Sequence, residues 1–154
     1  MSAKDTIKIE RILFPTDFSE SSNHAAVWAL SLARRHKAAV IVLHVLDTSL
    51  DASGFYVPHL SFERLDEEML LSAGKMLSAF AAKHFKGYRN VELITAAGKP
   101  YQEILKAIKD RSIGLCVMGS LGKKAGVERF FIGSTTERVT REAACPVLVV
   151  PPGG

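Results

Sequence analysis

Residues 113–144, IGLCVMGSLGKKAGVERFFIGSTTERVTREAA, decide how the rest of the chain is read. The first seven, 113–119, are apolar on both faces and predict a buried strand. The last eleven, 134–144, predict a helix that opens on the hydroxyl residues Ser134 and Thr135, with Ser134 as N-cap. Between them stand glycines at 119, 122 and 133. A strand, a glycine loop and a helix N-terminus form the arrangement in which α/β folds hold phosphate. Glycine lets the backbone approach the anion, and the free amides and helix dipole favour negative charge. Lys123 and Lys124 add positive charge at the tip, and Gly126 helps the turn. No GK(S/T) closes the loop, so it is not a Walker loop. The glycines could equally be turn residues at positive φ, and capping alone would justify Ser134.

Outward from this stretch the chain alternates strands and helices. ILF (12–14), ended by Pro15, predicts a first strand. A helix follows, capped by Ser19, with Ala25, Ala29, Leu32, Ala33 and His36 on one face. AVIVLHVLD (39–47) is apolar on both faces, as a central strand covered by helices must be. A loop is expected over 48–61, then a long helix over 62–85 whose Leu65, Met69, Ala73, Met76, Leu77 and Phe80 form a core-facing stripe. NVELITAAG (90–98) predicts a third strand, and PYQEILKAIKDRS (100–112) a short amphipathic helix with Pro100 in its first turn. PVLVVP (146–151) predicts a fifth strand. The order β-α-β-α-β-α-β-α-β predicts a doubly wound parallel sheet with helices on both faces. Ligands in such sheets bind beyond the carboxyl ends of the strands. Those ends are Pro15, Thr16 and Asp17; His44, Val45, Leu46 and Asp47; and Met118, Gly119 and Ser120.

The 154 residues suit one domain, 1–154, and 47% apolar with 23% charged residues is ordinary globular composition. The net charge is +4, but the basic residues form no stripe with interleaved aromatics, so no nucleic-acid partner is expected. No apolar run approaches the length of a membrane span, and no signal peptide opens the chain. Cys116 and Cys145 form no CxxC pair and read as small core residues of a cytoplasmic protein. His24, His36, His59 and His84 lack metal-ligand spacing, so no metal site is expected, and His44 reads as a hydrogen-bonded structural residue.

On these residues the chain resembles the universal stress protein family over nearly its whole length. ILFPTDFSESSNHAAVWALSLA is similar to the family's first strand and helix, and VLHVLD to its second strand. AGKPYQEILKAI matches its third-strand exit, and VMGSLG…GVERFFIGSTTERVTREAACPVLVVP its C-terminal half. The resemblance implies a five-stranded sheet of order 3-2-1-4-5, adenine nucleotide alpha hydrolase-like, and a homodimer. In one branch it also implies ATP, with or without Mg²⁺, at a motif G-2x-G-9x-G-(S/T). Carried over by position, Gly119, Gly122, Gly133 and Ser134 fall on the triphosphate motif. Asp17 matches the acid near the nucleoside and Val45 the residue whose backbone meets adenine. Pro15, Thr16, Met118 and Thr135 complete the implied pocket. Here Gly122 and Gly133 enclose ten residues where the pattern has nine. An added residue among Lys123, Lys124 and Ala125 can bulge from an exposed tip, or swing the amides away from the phosphates.

The expected function is therefore a nucleotide-binding stress-response module acting through a homodimer, its C-terminal strand 146–151 pairing across a sheet edge. The alternatives are a dimeric interaction module without nucleotide and a slow ATPase. Hydrolysis needs a positioned base or water-orienting group. Apart from Asp17 no acidic partner is expected near the site, so no catalytic residue is named.

Overall fold

A computed structural model describes residues 5–48, 62–121 and 132–153. The described elements are β1 (Arg11–Pro15), α1 (Glu20–His36), β2 (Ala39–Asp47), α2 (Phe62–His84), β3 (Val91–Gly98), α3 (Pro100–Asp110), β4 (Leu115–Gly119), α4 (Ser134–Glu142) and β5 (Val147–Val150). The strands form one parallel sheet in the order β3-β2-β1-β4-β5. This is the topology expected from the sequence. The order reverses between β1 and β4, which open the crevice where such folds bind ligands.

Alternation along the strands builds two cores. Ile12 and Phe14 of β1, Val40 and Val42 of β2, and Leu115 and Val117 of β4 point to the side of α1 and α2. Leu13, Ile41, Leu43, Cys116 and Met118 point the other way, against Ile104 and Ile108 of α3 and Val139 of α4. Phe14 stacks on Phe80 at 5.9 Å and tilts against Phe85 at 5.7 Å, which ties α2 to the sheet centre. α1 presents Ala25, Ala26, Ala29 and Ala33 to the sheet. With small residues on that face, the helix lies close to the strands.

Local signals placed several boundaries. Ser19 caps α1, its hydroxyl accepting the Ser22 amide at 3.2 Å. Pro100 opens α3, and Gly98 ends β3 at φ +151°. Three readings need correction. Met69 and Met76 were expected in the core, yet they are 39% and 48% exposed, while Ala73, Leu77 and Phe80 on the same helix are buried. The N-cap of α4 is Gly133, with Ser134 its first helical residue. β4 begins at Leu115 rather than 113, its pairing with β1 starting at Ile12 opposite Leu115. The tip carrying Lys123, Lys124, Ala125 and Gly126, with its extra residue, lies outside the described residues. So does the expected loop from residue 49 to 61, His59 included.

Tyr88 joins α1 to the strand that follows it. Its hydroxyl lies within hydrogen-bond reach of the Ala33 carbonyl, at 3.2 Å, and of the Ala38 carbonyl. Tyr88→Phe should cost about 1–2 kcal/mol, read as a lower midpoint in urea with unchanged slope. The His84 ring is tilted against Phe80 with centroids 4.3 Å apart, and burial, followed by the neighbouring Lys83 charge, lowers its pKa from 6.5. The unfolded chain then binds this proton more readily than the folded one. Its contribution to stability is therefore present above pH 6.5 and is lost as pH falls toward the lowered folded value. His84→Gln should flatten that part of the stability profile, measured by urea unfolding from pH 7.5 to 5.

Candidate functional site

The first strand ends in a turn locked by its own side chains. The Asp17 carboxylate accepts the Ser19 amide at 3.0 Å, and the Thr16 hydroxyl accepts the Phe18 amide at 3.0 Å. These side chain to backbone bonds hold Phe18 at φ 65°, a costly conformation for an aromatic residue. Packing offsets that cost: the Phe18 ring lies 4.4 Å from His44 and 5.8 Å from Phe80. His44 sits 2.8 Å from the Thr16 carbonyl through Nδ1. A carbonyl only accepts, so Nδ1 carries the proton. The expected structural role of His44 is what the geometry gives.

The fourth strand and α4 are fastened to each other. The Gly133 amide donates to the Ser120 carbonyl at 2.7 Å, and the Thr136 hydroxyl to the Gly119 carbonyl at 2.9 Å. The Leu121 amide donates to the Ser21 hydroxyl at 3.2 Å, which brings the start of α1 against the end of β4. Thr136 was missed in the sequence; nothing local distinguishes it from its hydroxyl neighbours.

Between these two supports lies a cavity of about 710 Å³. Pro15, Thr16, Asp17, Val45, Met118, Gly119, Gly133, Ser134 and Thr135 all line it. The sequence singled out ten positions, and nine meet here; Gly122 lies outside the described residues. Neither Gly119 nor Gly133 is at positive φ, so neither is a turn glycine of that kind. The walls also include Leu46 and Asp47, named above only as part of a strand end, and Leu43, Pro100, Ile104, Leu121 and Ile132, which were not named for the site; Asp47 corrects the expectation that Asp17 has no acidic partner here. Asp47 carried a readable signal, an acid at the carboxyl end of an apolar strand.

The cavity is electrically divided. At the β1–β2 end stand the carboxylates of Asp17 and Asp47. At the opposite end is the first turn of α4, whose leading amides have no partner within the helix and carry the positive end of its dipole. Pro100, the first residue of α3, brings no amide hydrogen and contributes an apolar wall instead. Among the described residues no lysine or arginine lines the cavity. The arrangement suits an elongated ligand with an apolar, hydroxylated end and an anionic end. Among the described residues no group of three His, Cys, Asp or Glu side chains could hold a metal. Both thiols are free; burial pushes the pKa of Cys116, and less strongly that of Cys145, above the usual thiol value. They are poor nucleophiles. Among the described residues no helix is long and apolar enough to cross a membrane.

A family model described as the universal stress protein family matches residues 8–151. Universal stress protein MJ0531 of Methanocaldococcus jannaschii is 35% identical, over 92% of this chain and 81% of its own length. The solved structure of MJ0577 from the same organism superposes with a TM-score of 0.80 at 27% identity, covering 96% of this chain and 99% of that one. A universal stress protein from Archaeoglobus fulgidus, solved in complex with dAMP, shares the fold at 19% identity and a TM-score of 0.63, covering 94% and 99% of the two chains.

Proposed function

The chain belongs to the universal stress protein family, and from that premise we propose that it is a cytoplasmic nucleotide-binding stress-response module that takes ATP at the switch point of its sheet. Asp17 and Val45 receive the nucleoside, with Pro15, Thr16 and Met118 around it. Gly119, Gly133, Ser134 and Thr135 receive the phosphates, together with Gly122. The observation that carries this reading is the convergence of nine of those residues on one 710 Å³ cavity with acids at one end and helix amides at the other. That volume is in the usual range of small-molecule sites, and the fold accommodates dAMP in the Archaeoglobus fulgidus protein. Any Mg²⁺ would be held through the phosphates, since the described side chains offer no cluster of their own.

The same reading has the protein act as a homodimer of single 154-residue domains. β5 supports it: this strand of four residues stands at the edge of the sheet, with Val147, Leu148 and Val149 only half-buried. A sheet edge of that kind is a template for a second strand.

Thermal denaturation of the purified chain, titrated with ATP and MgCl₂, tests the proposal. At a hundred times the Kd, ATP should stabilise the fold by about 2.7 kcal/mol. An unchanged midpoint at millimolar ATP would overturn it. Nucleotide released on denaturing the freshly purified protein and resolved by ion exchange gives an independent reading.

A further inference from the structure

Between β2 and α2 lies a second hollow, a groove of about 270 Å³ lined by Phe18, His44, Leu46, Met69, Ala73 and Met76, with Ser72 beside them. Met69 and Met76 stand seven residues apart on α2, about two turns, so they share a face of the helix. They are 39% and 48% exposed, whereas Ala73 between them is 6% exposed. A bare methyl at that point leaves room for both flexible thioethers to fold over it. The third donor comes from β2. His44 gives its Nδ1 hydrogen to the Thr16 carbonyl at 2.8 Å, so Nε2 is the nitrogen that keeps a lone pair. We infer that this groove binds a soft monovalent metal ion, Cu(I) or Ag(I), through the sulfurs of Met69 and Met76 and Nε2 of His44.

The donor types choose the ion. Thioethers are neutral, polarizable ligands that select Cu(I), and imidazole suits copper as well. Zn²⁺ takes thiolate, imidazole or carboxylate, and Mg²⁺ and Ca²⁺ take oxygen. Among the described residues no carboxylate or thiol lines the groove. A divalent ion would keep its whole charge among neutral ligands and apolar walls, which is the costly case; a monovalent ion brings half that charge. The Phe18 ring, 4.4 Å from His44, sets an aromatic face beside the donor, where a cation is favoured. His44 is also set up as a ligand from behind. A bond from its other nitrogen to a backbone carbonyl fixes tautomer and ring direction, the support that metal-binding histidines almost always have. The Thr16 backbone that supplies this carbonyl is itself held, its amide donating to the Leu43 carbonyl at 2.8 Å. Histidine spacing in the sequence gives no sign of such a site, because two of its three donors are methionines. The inference stands apart from the nucleotide reading, although groove and cavity share His44 and Leu46.

The test is a Cu(I) competition on the reduced full chain in the absence of oxygen. The protein should withdraw one equivalent of Cu(I) from its coloured bicinchoninate complex. Met69→Leu and Met76→Leu are volume-conserving changes at exposed positions, which the fold should tolerate. Each should weaken the affinity at least tenfold, a scale that even residues behind the ligands reach. His44→Asn, whose amide can still donate to the Thr16 carbonyl, should do the same; if it fails to fold, the methionine variants carry the test. Cys145→Ser removes the partly exposed thiol and should leave the affinity unchanged. The chain has four methionines, and with their methyls isotope-labelled for NMR, Ag⁺ should move two signals, those missing from the leucine variants. Zn²⁺ should move neither. The inference is overturned if no Cu(I) is withdrawn, if the affinity survives either methionine change, or if it is lost in Cys145→Ser, where the thiol would be the ligand.

Discussion

Gly119→Ala should lower the stability of the nucleotide-free protein by roughly 1–3 kcal/mol, as overpacking of a close contact does. A Cβ at this position would lie 2.6 Å from the Ser21 hydroxyl and 2.9 Å from both the carbonyl carbon and oxygen of Ser21. The hydroxyl could rotate away, at the expense of the bond it accepts from the Leu121 amide. The backbone atoms cannot, so α1 must shift from the end of β4. That helix is seated on the sheet by the buried Ala25, Ala26, Ala29 and Ala33, and a shift at its first turn disturbs their packing. For a chain of this size the loss corresponds to a fall in Tm of about 2–12 °C. The measurement is thermal unfolding without ligand. If Gly119 served only to let a phosphate approach, the ligand-free midpoint would not move and only ATP affinity would fall.

Gly119 also shows what a single sequence leaves hidden. The glycine spacing pointed to the end of the sheet where the cavity lies, because the need for close backbone approach is written in the residue itself. What approaches was not legible: at 119 it is the first turn of α1, a tertiary neighbour far away in the chain. The parallel sheet was readable because β2 is apolar on both faces and strands alternate with amphipathic helices, whereas its strand order came only from the family resemblance. That pattern permits little besides a doubly wound parallel sheet. Met69 and Met76 mark its limit. Their spacing correctly places them on the stripe of Ala73 and Phe80, but periodicity cannot tell how far the facing layer extends. In the structure they border a groove with Phe18, His44 and Leu46 instead of being covered. Ser134 and Gly133 mark another. Either residue can cap a helix, and the choice of Gly133 goes with its amide bonding to the Ser120 carbonyl, a contact set by where β4 ends.

Ser134→Glu should separate phosphate binding from every other role of the α4 terminus. Ser134 is the exposed first residue of α4 and lines the cavity, and the N-cap position before it is taken by Gly133. A carboxylate there sits at the positive end of the helix dipole, so the ligand-free protein should keep its stability or gain about 0.3–1 kcal/mol. The same charge opposes a phosphate on the α4 amides. Two unit charges 4 Å apart interact by about 4 kcal/mol at the effective dielectric of a protein surface. Salt screens an exposed group, yet a third of that value already weakens binding tenfold, which is about 1.4 kcal/mol. ATP affinity should therefore fall at least tenfold in Ser134→Glu, with the loss shrinking as salt is raised. It should stay within about threefold of wild type in the neutral Ser134→Gln. Adenosine, which has no phosphate, should bind the three proteins alike. Unchanged ATP affinity in Ser134→Glu, measured by calorimetry at low salt, would remove the phosphates from α4. The nucleotide would then have to run the other way along the cavity, with its anionic end beside Asp17 and Asp47, which the charge of those carboxylates opposes.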